Sequence, residues 1–340
     1  MKYRPFGKTG VNVSEIGVGT WSMGGMWGAR DDTQAIKAMI RAIEHGVTFI
    51  DTAWIYGNGH SEQLIAKTFQ EMKRSVFVAT KIPPNNLEWP ARVSVPLHKA
   101  YTADHIVKYT EISLNNLNVD SLDLQQLHVW TDRWQEGFED SLLTAIEKLK
   151  RQGKIRFFGV SLNAHDPNSG LRLVKSGLID SVQVIYNIFD QTPEEKLFPV
   201  CEFYNVAVIA RCPFDEGALA GALTPDTNFE LRDWRRSYFR GKRLEETCDR
   251  VEKLEFLIRP DRTLAQTALQ FCLAHPAITT VIPSMRTMKH VDENCAASHG
   301  KYLSEEELRL LKHHAWPRNF YMRAPGTLVR ILRKLGLFRL

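Results

Sequence analysis

Short apolar runs alternate with helical patterns along most of this chain. Eight runs read as buried parallel strands: Ile16–Thr20, Thr48–Asp51, Val76–Thr80, Leu122–Leu127, Ile155–Val160, Ser181–Ile185, Val206–Ala210 and Thr279–Ile282. They are short, rich in β-branched residues and flanked by turns, as strands covered on both faces are. Between them apolar residues recur at helical spacing: Ala35, Ile36, Met39, Ile40 and Ile43 form one face, and Leu142, Leu143, Ile146 and Leu149 another. Thr192-Pro193-Glu194-Glu195, Thr263-Leu264-Ala265-Gln266 and Ser304-Glu305-Glu306-Glu307 have the spacing of helix-starting capping boxes. Ahead of the repeat, Tyr3–Phe6 and Val13–Ile16 flank the turn Gly7-Lys8-Thr9-Gly10 and predict a β-hairpin.

Strict strand–helix alternation predicts an α/β fold, a (β/α)8 TIM barrel. The rival, a doubly wound open sheet, would carry G-x-G-x-x-G after its first strand. Gly17-Val18-Gly19-Thr20-Trp21-Ser22 lacks the third glycine and opens no helix. Three segments fall outside the repeat. Pro83–Ala100 and Pro213–Gly241 are long, aromatic-containing loops, and loops of such length mark lids. The third, from Pro317 onward, reads as a C-terminal extension, so the expected organisation is a barrel over 1–316 and a tail over 317–340.

Charge separates the tail from the body. The chain has 44 Lys and Arg against 39 Asp and Glu. Six of the basic residues, and none of the acidic ones, lie beyond residue 316, which leaves 38 against 39 in the body. A near-neutral body argues against a nucleic-acid-binding surface. Within the tail, Leu328, Ile331, Leu332, Leu335 and Phe338 share a helical face opposite Arg330, Arg333 and Lys334. Such a basic amphipathic helix suits an anionic membrane surface, a second subunit or its own barrel, with the last two favoured. The N-terminus has no apolar signal region and no run is long enough to span a membrane, so a cytoplasmic location is expected. The five cysteines form no C-x-x-C pair, which predicts reduced thiols and no metal site.

Barrel chemistry sits at the C-terminal ends of the strands. Asp51 closes the second strand, with Tyr56 in its loop; Lys81 closes the third and His128 the fourth. Each alone reads as structural: a loop carboxylate, a loop aromatic, a solvated lysine, a core histidine. Four on one rim make a coherent acid. Lys81 can stabilise a phenolate, Asp51 can hold Lys81, and His128 can orient a substrate oxygen, so that Tyr56 protonates a carbonyl as hydride arrives at its carbon.

These residues lie in segments that resemble the aldo-keto reductase family: Asp51-Thr52-Ala53-Trp54-Ile55-Tyr56-Gly57 with Ser61-Glu62, Ala79-Thr80-Lys81, Leu122–His128 and Gly159-Val160-Ser161. The resemblance runs from about Tyr3 to about Pro317. It implies an NADP(H)-dependent oxidoreductase acting on a small carbonyl or alcohol, with Asp51, Tyr56, Lys81 and His128 as its catalytic tetrad. The alternative is a weakly active or non-enzymatic NADP-binding subunit of the same fold.

The resemblance also implies cofactor contacts. Ser161 and Gln183 would hold the nicotinamide amide, with Thr20, Trp21 and Asp51 nearby and Asn187 structural. Pro213 precedes, and Gly217 and Leu219 fall in, the stretch Phe214–Gly221, which resembles the loop that closes over the pyrophosphate through its backbone amides; all three would contact the cofactor. Ser284, Arg286, His290, Glu293 and Asn294 would line the adenosine-phosphate site, with Arg286 on a 2′-phosphate. Ser284 and His290 stand where other members have Lys and Arg, so NAD(H) remains an alternative to NADP(H). Two departures are specific. Ser161 is followed by Leu162 and Asn163 rather than directly by Asn. Arg211 takes the place of a tyrosine that stacks on the nicotinamide, and three roles are open to it: stacking, clamping the pyrophosphate, or binding an anionic substrate. Trp21, Met26 and Trp27, with Trp54, Trp89, Trp130 and Trp134, follow the first four strands; Trp21, Trp54, Trp89 and Trp130 are expected to wall an apolar substrate pocket.

Overall fold

The computed structural model describes residues 1–321 except 26, 90–93, 232, 301 and 317. Met26 and the amphipathic tail helix expected over 327–340 lie outside the described residues.

The N-terminal hairpin pairs β1 (Tyr3–Pro5) with β2 (Asn12–Ser14) in antiparallel register. Eight parallel strands follow: β3 (Val18–Gly19), β4 (Phe49–Asp51), β5 (Phe77–Ile82), β6 (Leu122–Leu127), β7 (Ile155–Ser161), β8 (Ser181–Ile185), β9 (Ala207–Arg211) and β10 (Ile278–Val281). Each pairs with the next in chain order. The sheet closes where the Gly17 amide donates to Val281 O at 2.8 Å and the Gly19 amide to Pro283 O at 2.9 Å. A Cβ on Gly19 would come within 2.6 Å of Ile282 O, so the seam requires glycine there. The molecule is a (β/α)8 barrel.

The first strand is shorter than the expected Ile16–Thr20, with Ile16 making a single bridge to Val281. Lys81, Ser161 and Arg211 each lie inside strand pairing at its C-terminal end. That pairing fixes their backbones on the rigid scaffold rather than in the loops.

Helices cover the outside. The first, Asp32–Glu44, is capped by Asp31 and buries Ala35, Ala38, Met39, Ala42 and Ile43, so Ala38 and Ala42 take the inner positions expected of Ile36 and Ile40. Capping boxes form at Thr263 and Ser304. The one expected at Thr192 does not: its hydroxyl donates to Asp190 Oδ1 at 2.6 Å, and residues Thr192–Glu194 form a 3-10 turn instead. A side chain bonded to the preceding acid is not free to cap the turn ahead.

The hairpin plugs one end of the barrel. Phe6 is fully buried and packs its ring 5.8 Å from Phe49 and 5.2 Å from Phe77, in an interior cluster with Leu124 and Ile209. Phe6→Ala should destabilise the protein by about 3–5 kcal/mol, because the enclosed cavity cannot collapse. Urea unfolding measures this; a loss below about 1 kcal/mol would mean that the hairpin is not part of the core.

Candidate active site

Two adjacent strand ends establish the centre. Asp51 ends β4 and Lys81 sits in β5, both buried. Lys81 Nζ donates to Asp51 Oδ1 at 2.6 Å and to Thr52 O at 2.8 Å. The second carboxylate oxygen, Oδ2, accepts from Gln183 Nε2 at 2.7 Å, reaching across the barrel from β8. Burial pushes the Asp51 pKa up and the Lys81 pKa down, and their mutual attraction opposes both shifts. We read the pair as ionised, since its three short hydrogen bonds suit the charged forms.

Tyr56 and His128 converge on this pair. Lys81 Nζ stands 5.2 Å from the centroid of the Tyr56 ring, and the His128 ring lies edge-on to Tyr56 at 5.8 Å. The Tyr56 backbone is held in a tight turn, where a Cβ on Gly24 would meet Tyr56 C at 2.8 Å. Burial, followed by the Asp51 charge, raises the Tyr56 pKa well above its ordinary value; the Arg211 guanidinium opposes them. The phenol therefore keeps its proton. Burial, then Lys81 and Arg211, lowers the His128 pKa well below the ordinary histidine value, so its imidazole is neutral. Its buried Nδ1 has no protein partner.

The cofactor-binding residues expected from the sequence divide. Thr20 is buried and its hydroxyl donates to Asp51 O at 2.9 Å, supporting the site from below. Ser161 pairs with Gln183 in strand register, which brings their side chains to neighbouring positions on the rim. Asn187 is structural, its side chain bonding Cys212 O and the amides of Phe189 and Asp190. Arg286 donates to Trp27 O at 2.9 Å, just before a helix (Met288–Ala296) capped by Thr287. His290 and Glu293 lie on that helix, while Asn294 is buried and turns its amide back toward Ser284 O at 3.4 Å. Ser284 itself shares a short hydroxyl contact with Ser22.

The loop after β9 differs from expectation. The amides of Gly217 and Leu219 both donate to Phe214 O at 2.9 Å, and Leu219 is fully buried in the main core. These two amides are engaged within the turn itself. Pro213 is likewise buried. The long loop is partly ordered by a 3-10 turn (Asp215–Ala220) and a short helix (Arg235–Tyr238).

Of the four tryptophans assigned to the pocket wall, Trp21 and Trp89 face the site. Trp21 lies 6.5 Å from Tyr56, and Trp89 packs edge-on to His128 at 5.4 Å. Trp130 does not: it is 0% exposed, bonds Asp132 through its indole N–H and packs on Trp134 and Phe138. Trp54 lies edge-on to Tyr109 of an outer helix at 4.9 Å, which turns it toward the helical layer.

Several residues at this face were not expected. Trp234 packs 5.2 Å from Trp21, and Arg235 lies over Trp27 at 4.3 Å while pairing with Asp233. The loops after β3 and β9 thus meet over the rim. Behind Arg211, Glu216 is buried and accepts a hydrogen bond from Tyr321 at 2.5 Å. Arg318 pairs with buried Asp215, which also accepts from Tyr238 at 2.8 Å. The beginning of the C-terminal extension is therefore packed on the barrel. The many aromatics in 213–241 were the one sequence signal for this cluster.

Burial pushes the Glu216 carboxyl up to about 7. An unfolded Glu releases its proton near its ordinary value, so the folded state holds the extra proton between about 4.5 and 7. Stability should therefore fall as pH rises through that window, by up to about 3 kcal/mol from this group. Across the window the stability of wild type, measured by urea unfolding, should fall by up to that amount more than that of Glu216→Gln, and parallel curves would place Glu216's titration elsewhere.

The Aldo/keto reductase family model matches residues 15–315. The chain is 31% identical to the aldo-keto reductase YhdN of Bacillus subtilis over 81% of this chain and 82% of that protein. It superposes on the holo form of aldo-keto reductase AKR11C1 from Bacillus halodurans with a TM-score of 0.73 and 28% identity, covering 93% and 96% of the two chains. An aldo/keto reductase from Klebsiella pneumoniae in complex with NADP and acetate gives a TM-score of 0.66 at 26% identity, over 94% and 98%. With the buried Asp51–Lys81 pair, Tyr56 and His128 at one rim of a closed barrel, this chain belongs to the aldo/keto reductase family.

Proposed function

We propose that this protein reduces an aldehyde or ketone to an alcohol, or runs the reverse reaction, with NADP(H) as cofactor and Tyr56 as proton donor. The observation that carries this reading is the convergence of Tyr56, neutral His128 and the Asp51–Lys81 pair at the mouth of the barrel.

The residues present fit a nicotinamide dinucleotide. Arg286 precedes a helix N-terminus, a setting that suits phosphate. The buried Arg211 Nε, Trp27 Nε1 and Trp234 Nε1 donors lack protein partners, as donors awaiting a polar ligand would. A bound nicotinamide would supply the hydride.

The chain's own groups do the rest. Tyr56 holds a proton at all ordinary pH values because burial disfavours its phenolate, and gives it to an oxygen that gains negative charge. His128, neutral and unpartnered at Nδ1, can donate a hydrogen bond to that oxygen and fix its direction. Lys81 lies over the Tyr56 ring and favours the phenolate once the proton has left. Asp51 keeps Lys81 in place, and Gln183 keeps Asp51 in place. Trp21 and Trp89 give the pocket apolar walls that exclude water. NAD(H) is the alternative cofactor, since Ser284 and His290 add no permanent positive charge beside Arg286.

Tyr56→Phe removes the proton and little else. Its kcat for NADPH-dependent reduction should fall about 10²–10⁴-fold, with the dissociation constant for NADPH unchanged. A panel of aldehydes, ketones and sugars followed by NADPH absorbance, together with NADPH binding by tryptophan fluorescence, measures both. If binding fell along with rate, Tyr56 would be a cofactor contact rather than the acid. Nucleotide binding without turnover of any substrate would favour a regulatory subunit.

A further inference from the structure

Arg211 is a charged residue beside the tetrad that the proton-transfer scheme above does not use. It ends β9, in register with Ile185 of β8. Its Nη2 donates to Leu162 O at 3.2 Å, just after β7, so the guanidinium reaches over the end of the intervening strand β8. That anchor rules out a freely solvated side chain. Its Nε is buried without a protein partner. Its positive charge acts on Asp51, Tyr56, Lys81 and His128 alike.

This charge is incompletely neutralised. Arg211 makes no ion pair among the described residues. Other acidic groups on which its charge acts are Glu216, whose carboxyl burial pushes up to about 7, and Cys212, whose thiol is pushed up to about 12. Asp51 is engaged by Lys81 and Gln183. The rim therefore carries an excess of positive charge where a hydride must be delivered.

Hydride transfer needs the donor carbon about 3–3.5 Å from the carbonyl carbon whose oxygen Tyr56 protonates. The nicotinamide ring must then lie within a few ångströms of the tetrad, in reach of the Arg211 charge. The reduced ring is neutral and the oxidised ring carries one positive charge, while phosphates and adenine are common to both forms. We propose that Arg211 is a specificity-determining residue for the cofactor's oxidation state: it makes the site hold the reduced nicotinamide more tightly than the oxidised one. The inference rests on the reductase reading above. The equilibrium of the overall reaction in solution is unchanged. On the enzyme the equilibrium moves toward the bound reduced cofactor, so the charge does not drive the hydride step; what it favours is capture of the reduced cofactor and fast release of the weakly held oxidised one.

Two unit charges about 6 Å apart at an effective dielectric constant of about 20 discriminate by about 100-fold, and partial ionisation of Glu216 reduces this toward about tenfold. The test is binding without substrate. Dissociation constants for NADPH and NADP+ are measured by tryptophan fluorescence near pH 7 for wild type, Arg211→Lys, Arg211→Met and Arg211→Gln. Wild type and Arg211→Lys should prefer NADPH by about ten- to hundredfold. Arg211→Met should lose about tenfold or more of that preference, mainly by binding NADP+ more tightly. Arg211→Gln retains a donor for Leu162 O and should behave as Arg211→Met does, which separates loss of charge from loss of the anchor. An unchanged ratio in both neutral variants, with the two constants moving together, would overturn the proposal and make Arg211 a contact to the common part of the cofactor. A wild type that binds none of NADPH, NADP+, NADH and NAD+ would overturn the reductase reading itself.

Discussion

The buried ion pair between Asp51 and Lys81 is the constraint on which the rest of the site depends. Two charges removed from water are costly, and their attraction compensates only with good geometry and with their other hydrogen-bonding positions filled. Here Thr52 O accepts a second hydrogen bond from the ammonium, and Gln183 donates to the second carboxylate oxygen from across the barrel. The arrangement therefore needs three strands in correct register. In return, a cation is held 5.2 Å from the Tyr56 ring, and both carboxylate oxygens of Asp51 are engaged.

Electrostatics at this rim follow from burial more than from pairing. Burial is the leading influence on Asp51, Tyr56, Lys81, His128 and Glu216. It keeps Tyr56 protonated and His128 neutral, the states that the proposed proton donor and its uncharged hydrogen-bond partner require. The sequence suggested that Lys81 would make Tyr56 acidic. In the structure its ammonium is engaged by Asp51 and Thr52, and Arg211 is the cation that opposes burial at the phenol. A residue that departs from the family pattern has thus entered the electrostatics of the tetrad.

The loops complete the site from three places in the chain. Trp21 and Trp27 follow β3, Trp234 and Arg235 lie in the loop after β9, and Arg286 follows β10. Arg318 and Tyr321, beyond the family-matched residues, anchor Asp215 and Glu216 behind Arg211. The C-terminal extension is thereby coupled to the loop that follows Arg211.

Much of this was legible in the sequence, for a physical reason. Parallel strands buried on both faces leave runs of apolar residues, and chemistry confined to one rim leaves a polar residue at the end of each run. The alternation of runs and helices therefore established the barrel, and Asp51, Lys81, His128 and Tyr56 stood out against it. What the pattern does not encode is where a side chain points once it leaves the rim. Trp130 turns into the core and Trp89 toward His128, although both lie in loops after neighbouring strands. Thr192 bonds Asp190 rather than capping a helix, and the amides of Gly217 and Leu219 close their own turn. Gln183 finds Asp51, and Tyr321 finds Glu216, across sequence separations that no local spacing records. Local periodicity determines which elements form and which of their ends carry polar groups. Only closure of the barrel decides which of those groups meet, because the partners are brought together by strand order and loop packing rather than by proximity in the chain.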